Sequence, residues 1–133
     1  MARAVADTHT VIWYLYDDAR LSPTARTWIE DAAVAGEQIA LSSITLAEMV
    51  YLIEKGRIDA AALTRLTAEL DAADAVLVEV PFDRQVAQAM SRVARTEVPD
   101  LPDRMISATA LHLGIPIISR DRKIQASGLT TVW

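Results

Sequence analysis

Cysteine is absent from this chain of 133 residues, and long hydrophobic runs are absent as well. The missing thiols exclude disulfide bridges and zinc sites built on thiolates. The longest apolar stretch, Val11 to Tyr16, is far shorter than a membrane-spanning helix. Asp7 interrupts the N-terminal segment too early for the apolar region of a signal peptide. We therefore expect a cytoplasmic protein with no membrane segment.

Positive charge and histidine are scarce. The chain carries 13 Lys and Arg against 18 Asp and Glu, for a net charge of -5 and a pI near 4.9. This balance argues against a broad basic surface for nucleic acid, although a metal ion could still bridge nucleic acid to an acidic site. The two histidines, His9 and His112, lie on different segments and form no H-x-x-x-H metal motif. A mechanism that pairs two histidines as acid and base is therefore not expected.

Four glycines and a series of short apolar runs indicate the fold. Glycine commonly follows the last turn of a helix, so we predict helices over residues 23–35, 45–55, 103–113 and 122–127, with others over 8–16, 59–72 and 83–95. Apolar runs at 3–6, 38–41, 75–80, 115–118 and 130–133 are typical of strands buried on both faces. This alternation predicts a single three-layer α/β/α domain over residues 1–133, with a mostly parallel central sheet.

Four acidic residues are predicted to meet at one edge of this sheet. Asp7 follows the first strand, Asp121 follows the fourth, Asp103 begins a helix, and Glu48 lies about one turn into another helix. Parallel sheets bind ligands at the carboxyl ends of their strands. Setting these four aside leaves 14 acids against 13 cations, so the acid excess is concentrated here. Carboxylates 4 Å apart repel by roughly 4 kcal/mol, so such a cluster takes up protons or binds a hard cation, Mg²⁺ or Mn²⁺.

Each of these acids also has a purely structural interpretation. Asp7 and Asp121 would be N-caps of the helices that follow them. Glu48 would complete a capping box with Thr45, and Asp103 would be an ordinary first-turn acid favoured by the helix dipole. Four independent caps need not fall at one edge of a sheet, which favours the metal site.

A fifth acid, Asp100, lies three residues before Asp103. Pro102 disfavours helix at Leu101 and is itself tolerated only at a helix start. We therefore place Asp103 in the first turn and Asp100 in the preceding loop. Asp103 and Asp121 are expected to complete the site, while Asp100 mainly shapes the loop.

Four segments, taken in order, resemble the signature of PIN-domain nucleases. They are Val5-Ala6-Asp7-Thr8, Ser42-Ser43-x-Thr45-Leu46-Ala47-Glu48, Asp100-Leu101-Pro102-Asp103-Arg104-Met105-Ile106-x-Ala108-x-Ala110 and Ile117-Ile118-Ser119-Arg120-Asp121. The resemblance spans nearly the whole chain. Its length and acid pattern are similar to the toxins of VapBC-type toxin–antitoxin pairs, which are Mg²⁺-dependent ribonucleases held inactive by a DNA-binding antitoxin. One departure is Glu97 and Val98, where many relatives have a histidine.

This resemblance implies an Mg²⁺- or Mn²⁺-dependent endoribonuclease that acts on RNA as a toxin neutralised by an antitoxin. It also implies a homodimer or a toxin–antitoxin hetero-oligomer. The catalytic and metal-binding residues it implies are Asp7, Glu48, Asp103 and Asp121, with Thr8 and Ser119 as neighbouring hydroxyls. Arg104 and Arg120 flank two of the acids, so they are candidates either for binding a phosphate or for pairing with the acids. Candidate substrate-binding residues are thus Thr8, Arg104, Ser119 and Arg120.

The aromatic side chains divide between core and surface. We expect Trp13, Trp28 and Trp133 to be mainly packing residues, whereas Tyr14, Tyr16 and Tyr51 could stack bases or contact a partner. The resemblance, together with the aromatic and apolar residues of the helices over 11–16 and 45–55, implies that an antitoxin segment lays an apolar face in a groove there.

Other small α/β proteins that bind Mg²⁺ fit less well. A phospho-acceptor receiver domain needs an acid after a middle strand, but the second strand here ends in Leu41-Ser42-Ser43. A haloacid-type phosphatase needs a D-x-D motif, which Asp7-Thr8-His9 lacks. The remaining alternative is a PIN fold kept as a regulatory or binding module with little nuclease activity.

Overall fold

A computed structural model describes the whole chain, Met1 to Trp133, and places one parallel sheet at its centre. The strands are β1 (Ala2–Ala6), β2 (Gln38–Ser42), β3 (Leu77–Val80), β4 (Ile117–Ile118) and β5 (Thr131–Val132). They lie in the order β3-β2-β1-β4-β5, and every neighbouring pair is parallel. The predicted α/β architecture with a mostly parallel sheet is confirmed.

Helices connect the strands and cover both faces of the sheet. They are α1 (Thr8–Leu15), α2 (Pro23–Val34), α3 (Ser43–Glu54), α4 (Ala62–Asp71), α5 (Arg84–Ala89), α6 (Leu101–Leu113) and α7 (Arg122–Ala126). Gly36, Gly56 and Gly114 follow α2, α3 and α6 with φ near +70°, a conformation that glycine adopts without steric penalty. None of these helices is long and apolar enough to cross a membrane.

Several predicted helix bounds are wrong by a few residues. Helix α3 begins at Ser43 instead of Thr45, because Ser42 caps it by accepting from the backbone N–H of Ile44. Helix α5 ends at Ala89 and continues only as a 3-10 turn, so the predicted helix over 83–95 is too long. Helix α6 begins at Leu101, two residues before the predicted start.

Alternate residues of the strands enter two separate cores, one on each face of the sheet. In β1, Ala4 and Ala6 pack on the side of α1, α2 and α4, whereas Val5 packs on the side of α5 and α6. In β4, Ile118 packs on the same face as Ala4 and Ala6, and Ile117 packs on the same face as Val5. All five side chains are at most 1% exposed, which explains why residues 4–6 of β1 and both residues of β4 are apolar.

The order of the strands determines where a ligand can bind. From β1 the chain crosses to β2 on one side and later places β4 on the other, so the direction of winding reverses beside β1. Ala6 and Ile118 are partners in register, and both strands end there. Asp7 and Ser119, the next residues, therefore stand side by side in the crevice where such sheets bind ligands.

Candidate active site

A cleft of about 860 Å³ opens at this carboxyl edge of the sheet. Five carboxylic acids line it: Asp7, Glu48, Asp100, Asp103 and Asp121. The four acids predicted from sequence are thus brought to one cleft, together with Asp100, which was expected to remain apart in its loop. They come from the ends of β1 and β4 and from the helices α3 and α6.

Asp7 is the most constrained of these acids. It is 7% exposed, and it caps α1 by accepting from the backbone N–H of Thr10 at 3.0 Å. The hydroxyl of Thr10 donates to the same oxygen, Oδ1, at 2.7 Å, and the hydroxyl of Ser119 donates to Oδ2 at 2.5 Å. The capping role and the position in the cleft therefore coexist in one side chain.

Glu48 reaches the cleft from the second turn of α3. Because Ser42 is the N-cap, Glu48 is too far along the helix to complete a capping box with Thr45, and that interpretation is wrong. Its Oε1 instead accepts from the hydroxyl of Thr8 at 2.5 Å. The Thr8 hydroxyl also lies 3.1 Å from the hydroxyl of Thr45.

Asp121 and Ser119 form a short structure after β4. Asp121 caps α7, since its Oδ1 accepts from the backbone N–H groups of Lys123 and Ile124 at 2.9 and 3.0 Å. Ser119 is fully buried, and its Oγ accepts from the backbone N–H of Asp121 at 3.0 Å while donating to Asp7. Ser119 thus orients an acid and is not accessible to substrate; the same holds for Thr8, which is 3% exposed and bonded to Glu48.

Asp100 and Asp103 stand at the start of α6. Asp100 is the N-cap, and its Oδ2 accepts from the backbone N–H of Asp103 at 3.1 Å. Leu101 is helical although Pro102 follows it, so the predicted helix start is wrong, while the first-turn position of Asp103 is confirmed. No hydrogen bond engages the Asp103 carboxyl group. Asp103 is the only one of the five acids without such a partner.

The crowding of these carboxyl groups changes their acidity. Burial, followed by the charges of Asp100, Asp121, Asp7 and Glu48, raises the pKa of Asp103 from 3.8 to about 7. Burial also raises the pKa of Glu48, and Asp100 and Asp7 add to the effect, while the Thr8 hydrogen bond and His9 oppose it. Strong perturbation of carboxyl groups in a cleft is typical of a functional site.

The donor set suits a hard divalent cation, but the side chains are not arranged around one. No three of the acids and histidines are placed so that a single ion could bind all of them. Carboxylates that repel each other rotate apart, and hydrogen bonds hold Asp7, Glu48 and Asp121 where they are. Asp103 has no such restraint. The oxygen chemistry therefore fits Mg²⁺ or Mn²⁺, and binding by several acids at once requires side-chain rotation.

The two arginines predicted to touch substrate have different environments. Arg104 does not line the cleft; its Nη2 donates to the backbone carbonyls of Met90 and Val93 at 3.0 and 3.1 Å. It ties α6 to the turn after α5 and is not brought to the cleft with the acids. Arg120 is exposed, lines the cleft, and lies over the Trp13 ring at 5.5 Å without any carboxylate partner within 4 Å.

Sequence reasoning missed most of the cations around the acids. Arg20, Arg57, Arg122 and Lys123 also line the cleft. Arg20 is held by a bidentate pair with Asp18 and lies 5.2 Å from the Trp13 ring. Arg20 and Arg57 lie in loops, where the spacing of apolar residues does not indicate which way a side chain points. Arg122 and Lys123 directly follow Asp121 in sequence, so only these two could have been placed near the acids from sequence.

The aromatic residues separate into buried and exposed groups. Trp13 is 7% exposed, and its ring lies 5.6 Å from that of His9 and 5.8 Å from that of Trp133. It is a packing residue, as predicted. Tyr51, on α3, is 53% exposed at the rim of the cleft, with Lys55 over its ring. His112 lies on the surface of α6, away from this site.

Comparison with known proteins gives one family. The profile of the PIN domain matches residues 4–127. Ribonuclease VapC22 of Mycobacterium tuberculosis (strain ATCC 25618 / H37Rv) is 28% identical over 136 residues, and the alignment covers 100% of both chains.

Solved structures of similar fold come from toxin–antitoxin complexes. A chain of VapBC2 from Rickettsia felis, bound to a DNA fragment from its promoter, superposes with a TM-score of 0.70 at 18% identity over 96% of each chain. A chain of DNA-bound VapBC from Salmonella typhimurium gives 0.69 at 22% identity over 98% of this chain and 97% of the other. At these identities the likeness establishes the fold alone.

Proposed function

Because the chain belongs to the PIN-domain family, we propose that it is a single-domain, metal-dependent endoribonuclease acting as the toxin of a toxin–antitoxin pair. The observation that carries this proposal is the convergence of five carboxyl groups on one cleft, of which Asp103 has no hydrogen bond or cation to stabilise its charge. Ribonuclease VapC22, which is similar to this chain over its full length, is named as a ribonuclease. We assign metal binding and catalysis to Asp7, Glu48, Asp103 and Asp121.

The residues of the cleft have different proposed roles in hydrolysis. A bound Mg²⁺ or Mn²⁺ would supply a nucleophilic hydroxide and neutralise the charge that develops on the phosphodiester. The hydroxyls of Ser119 and Thr8 hold the carboxyl groups of Asp7 and Glu48 in the cleft, whereas Asp103, which has no hydrogen bond, would rotate to complete the binding of a cation. Arg120, which has no carboxylate partner, is placed to bind a phosphate of the RNA through its guanidinium.

The proposal predicts the ends that cleavage leaves on RNA. With no pair of histidines in the cleft, water attacks instead of the 2′-hydroxyl, so single-stranded RNA should yield 5′-phosphate and 3′-hydroxyl ends. Excess EDTA should abolish cleavage, and added Mg²⁺ or Mn²⁺ should restore it. Labelled oligonucleotides resolved beside ladders of known end chemistry provide the measurement.

Two results would contradict this mechanism. One is cleavage that persists in EDTA, and the other is a product that ends in a 2′,3′-cyclic phosphate. If the purified protein binds RNA or a partner but cleaves no RNA with any divalent cation, the chain is instead a PIN-fold binding module.

We also propose that an antitoxin covers the rim of the cleft formed by α3. Tyr51 is 53% exposed there and lines the cleft with the acids, and Val50, the preceding residue of α3, is 40% exposed. The toxin–antitoxin complexes of similar fold motivate a protein partner. An amphipathic segment would lay its apolar face on this rim and direct a basic side chain toward the acids.

Replacing Tyr51 by glutamate should weaken antitoxin binding at least tenfold while sparing the fold, because it places a charge against an apolar face. Val34→Glu is the matched control, since Val34 is 90% exposed on α2 and lies outside the cleft. Titration calorimetry with the cognate antitoxin measures both variants. Unchanged affinity of Tyr51→Glu would place the interface elsewhere.

A further inference from the structure

A chain of hydroxyl groups leads from the interior of the protein to the Glu48 carboxylate. Thr45, on α3, is fully buried, and its only side-chain hydrogen-bond partner is the hydroxyl of Thr8 at 3.1 Å. Thr8, on α1, is hydrogen-bonded in turn to Oε1 of Glu48. The three residues join two helices that are distant in sequence.

The direction of donation along this chain follows from the chemistry of its last member. An ionised carboxylate only accepts hydrogen bonds, so the single hydroxyl proton of Thr8 points to Glu48. The Thr8 oxygen is then an acceptor, and the proton of Thr45 points to Thr8. Each donation polarises the next hydroxyl and strengthens its hydrogen bond.

We infer that Thr45 is a positioning residue, acting through Thr8 to fix the Glu48 carboxylate for cation binding. Without Thr45 the Thr8 hydroxyl loses its donor and can rotate, and Glu48 loses the partner that holds Oε1. Oε2 of Glu48 has no protein donor, so the relay leaves this oxygen for a cation. The inference rests on the proposed function, in which Glu48 is a metal ligand.

Three substitutions distinguish positioning from packing. Thr45→Val keeps the shape and removes the hydroxyl, whereas Thr45→Ser keeps the hydroxyl and removes a methyl group. Thr109→Val is the matched control: Thr109 is also a fully buried helical threonine, but its hydroxyl donates to the backbone carbonyl of Met105 in its own helix. If Thr45→Val does not fold, Thr45→Ala, which is too small to clash, takes its place.

The first measurement is Mn²⁺ affinity by titration calorimetry on the full chain. Thr45→Val should weaken binding roughly three- to tenfold, at or below the lower end of the range for groups that contact a metal ligand directly, because Thr45 acts through a second hydroxyl. Thr45→Ser and Thr109→Val should stay near wild type. In a Glu48→Gln background the same Thr45→Val change should have no further effect, because the two residues act in series. An undiminished effect in that background would overturn the relay.

The second measurement needs neither metal nor activity. The ¹³C shift of the Glu48 carboxyl group in the metal-free protein should change in Thr45→Val and be restored in Thr45→Ser. If Thr45→Val lowers only the melting temperature and leaves this shift unchanged, Thr45 is a packing residue and the inference fails. Absence of RNA cleavage by wild type would defeat the proposed function while the carboxyl shift still tests the relay.

Discussion

Asp103→Asn is expected to abolish RNA cleavage and, in the absence of metal, to stabilise the protein. Asparagine keeps the size of the side chain and removes the charge that a cation would bind. The loss of cleavage should be on the order of 10²- to 10³-fold or more, which is the loss found when a single group that stabilises charge in an active site is removed. Asp83→Asn is the control, because Asp83 also lies at the start of a helix, as the N-cap of α5, but is outside the cleft.

The gain in stability of Asp103→Asn should depend on pH. The folded-state pKa of Asp103 is about 7, above its ordinary value of 3.8. A raised carboxyl pKa contributes stability that is present below the unfolded pKa and is lost as pH rises through the folded pKa. Wild type should therefore lose stability relative to Asp103→Asn between about pH 4 and 7, by about 1 kcal/mol after allowing for solvent screening of a half-exposed group.

Thermal unfolding at several pH values measures this difference. At pH 8 the metal-free variant should melt a few degrees above wild type, roughly 2–4 °C for each kcal/mol. Added Mg²⁺ should raise the melting temperature of wild type and not of the variant. If instead Asp100→Asn abolishes cleavage and Asp103→Asn does not, Asp100 is the ligand at the start of α6, and the assignment of Asp103 is wrong.

Glu48→Gln should lose most cleavage with nearly native stability. Glutamine has the same length, and its Oε1 still accepts from the Thr8 hydroxyl. The variant removes an anionic ligand, so cleavage should fall roughly 10²-fold. It also removes a half-buried carboxyl group whose pKa is raised by burial, so the free energy of unfolding should change by only about 0.5 kcal/mol.

The comparison needs a second glutamate on the same helix. Glu54→Gln serves, because Glu54 is exposed at the end of α3 and lies outside the cleft. Single-turnover cleavage at saturating Mg²⁺, together with urea unfolding, separates catalysis from folding. If Glu48→Gln cleaves RNA as fast as Glu54→Gln does, Glu48 is not a metal ligand and only accepts the hydrogen bond of Thr8.

The sequence by itself determined the parallel α/β fold and the edge at which the acids lie. Both depend on local signals: apolar runs buried on two faces, glycines after helices, and acids directly after strands. The carboxyl ends of parallel strands share one edge, so the place of Asp7 and Asp121 in sequence already fixes their place in the sheet. Helix starts were less certain, because a cap such as Ser42 competes with acids and threonines a few residues later.

The tertiary structure alone decided what each side chain does at that edge. Ser119 donates to Asp7 across 112 positions of sequence, and Thr8 donates to Glu48 across 40. Arg104, next to an acid in sequence, turns away to the carbonyls of Met90 and Val93. The raised pKa of Asp103 likewise requires charges from several separate segments. These properties depend on distances between segments remote in sequence, and a pattern of residues in one segment carries no information about those distances.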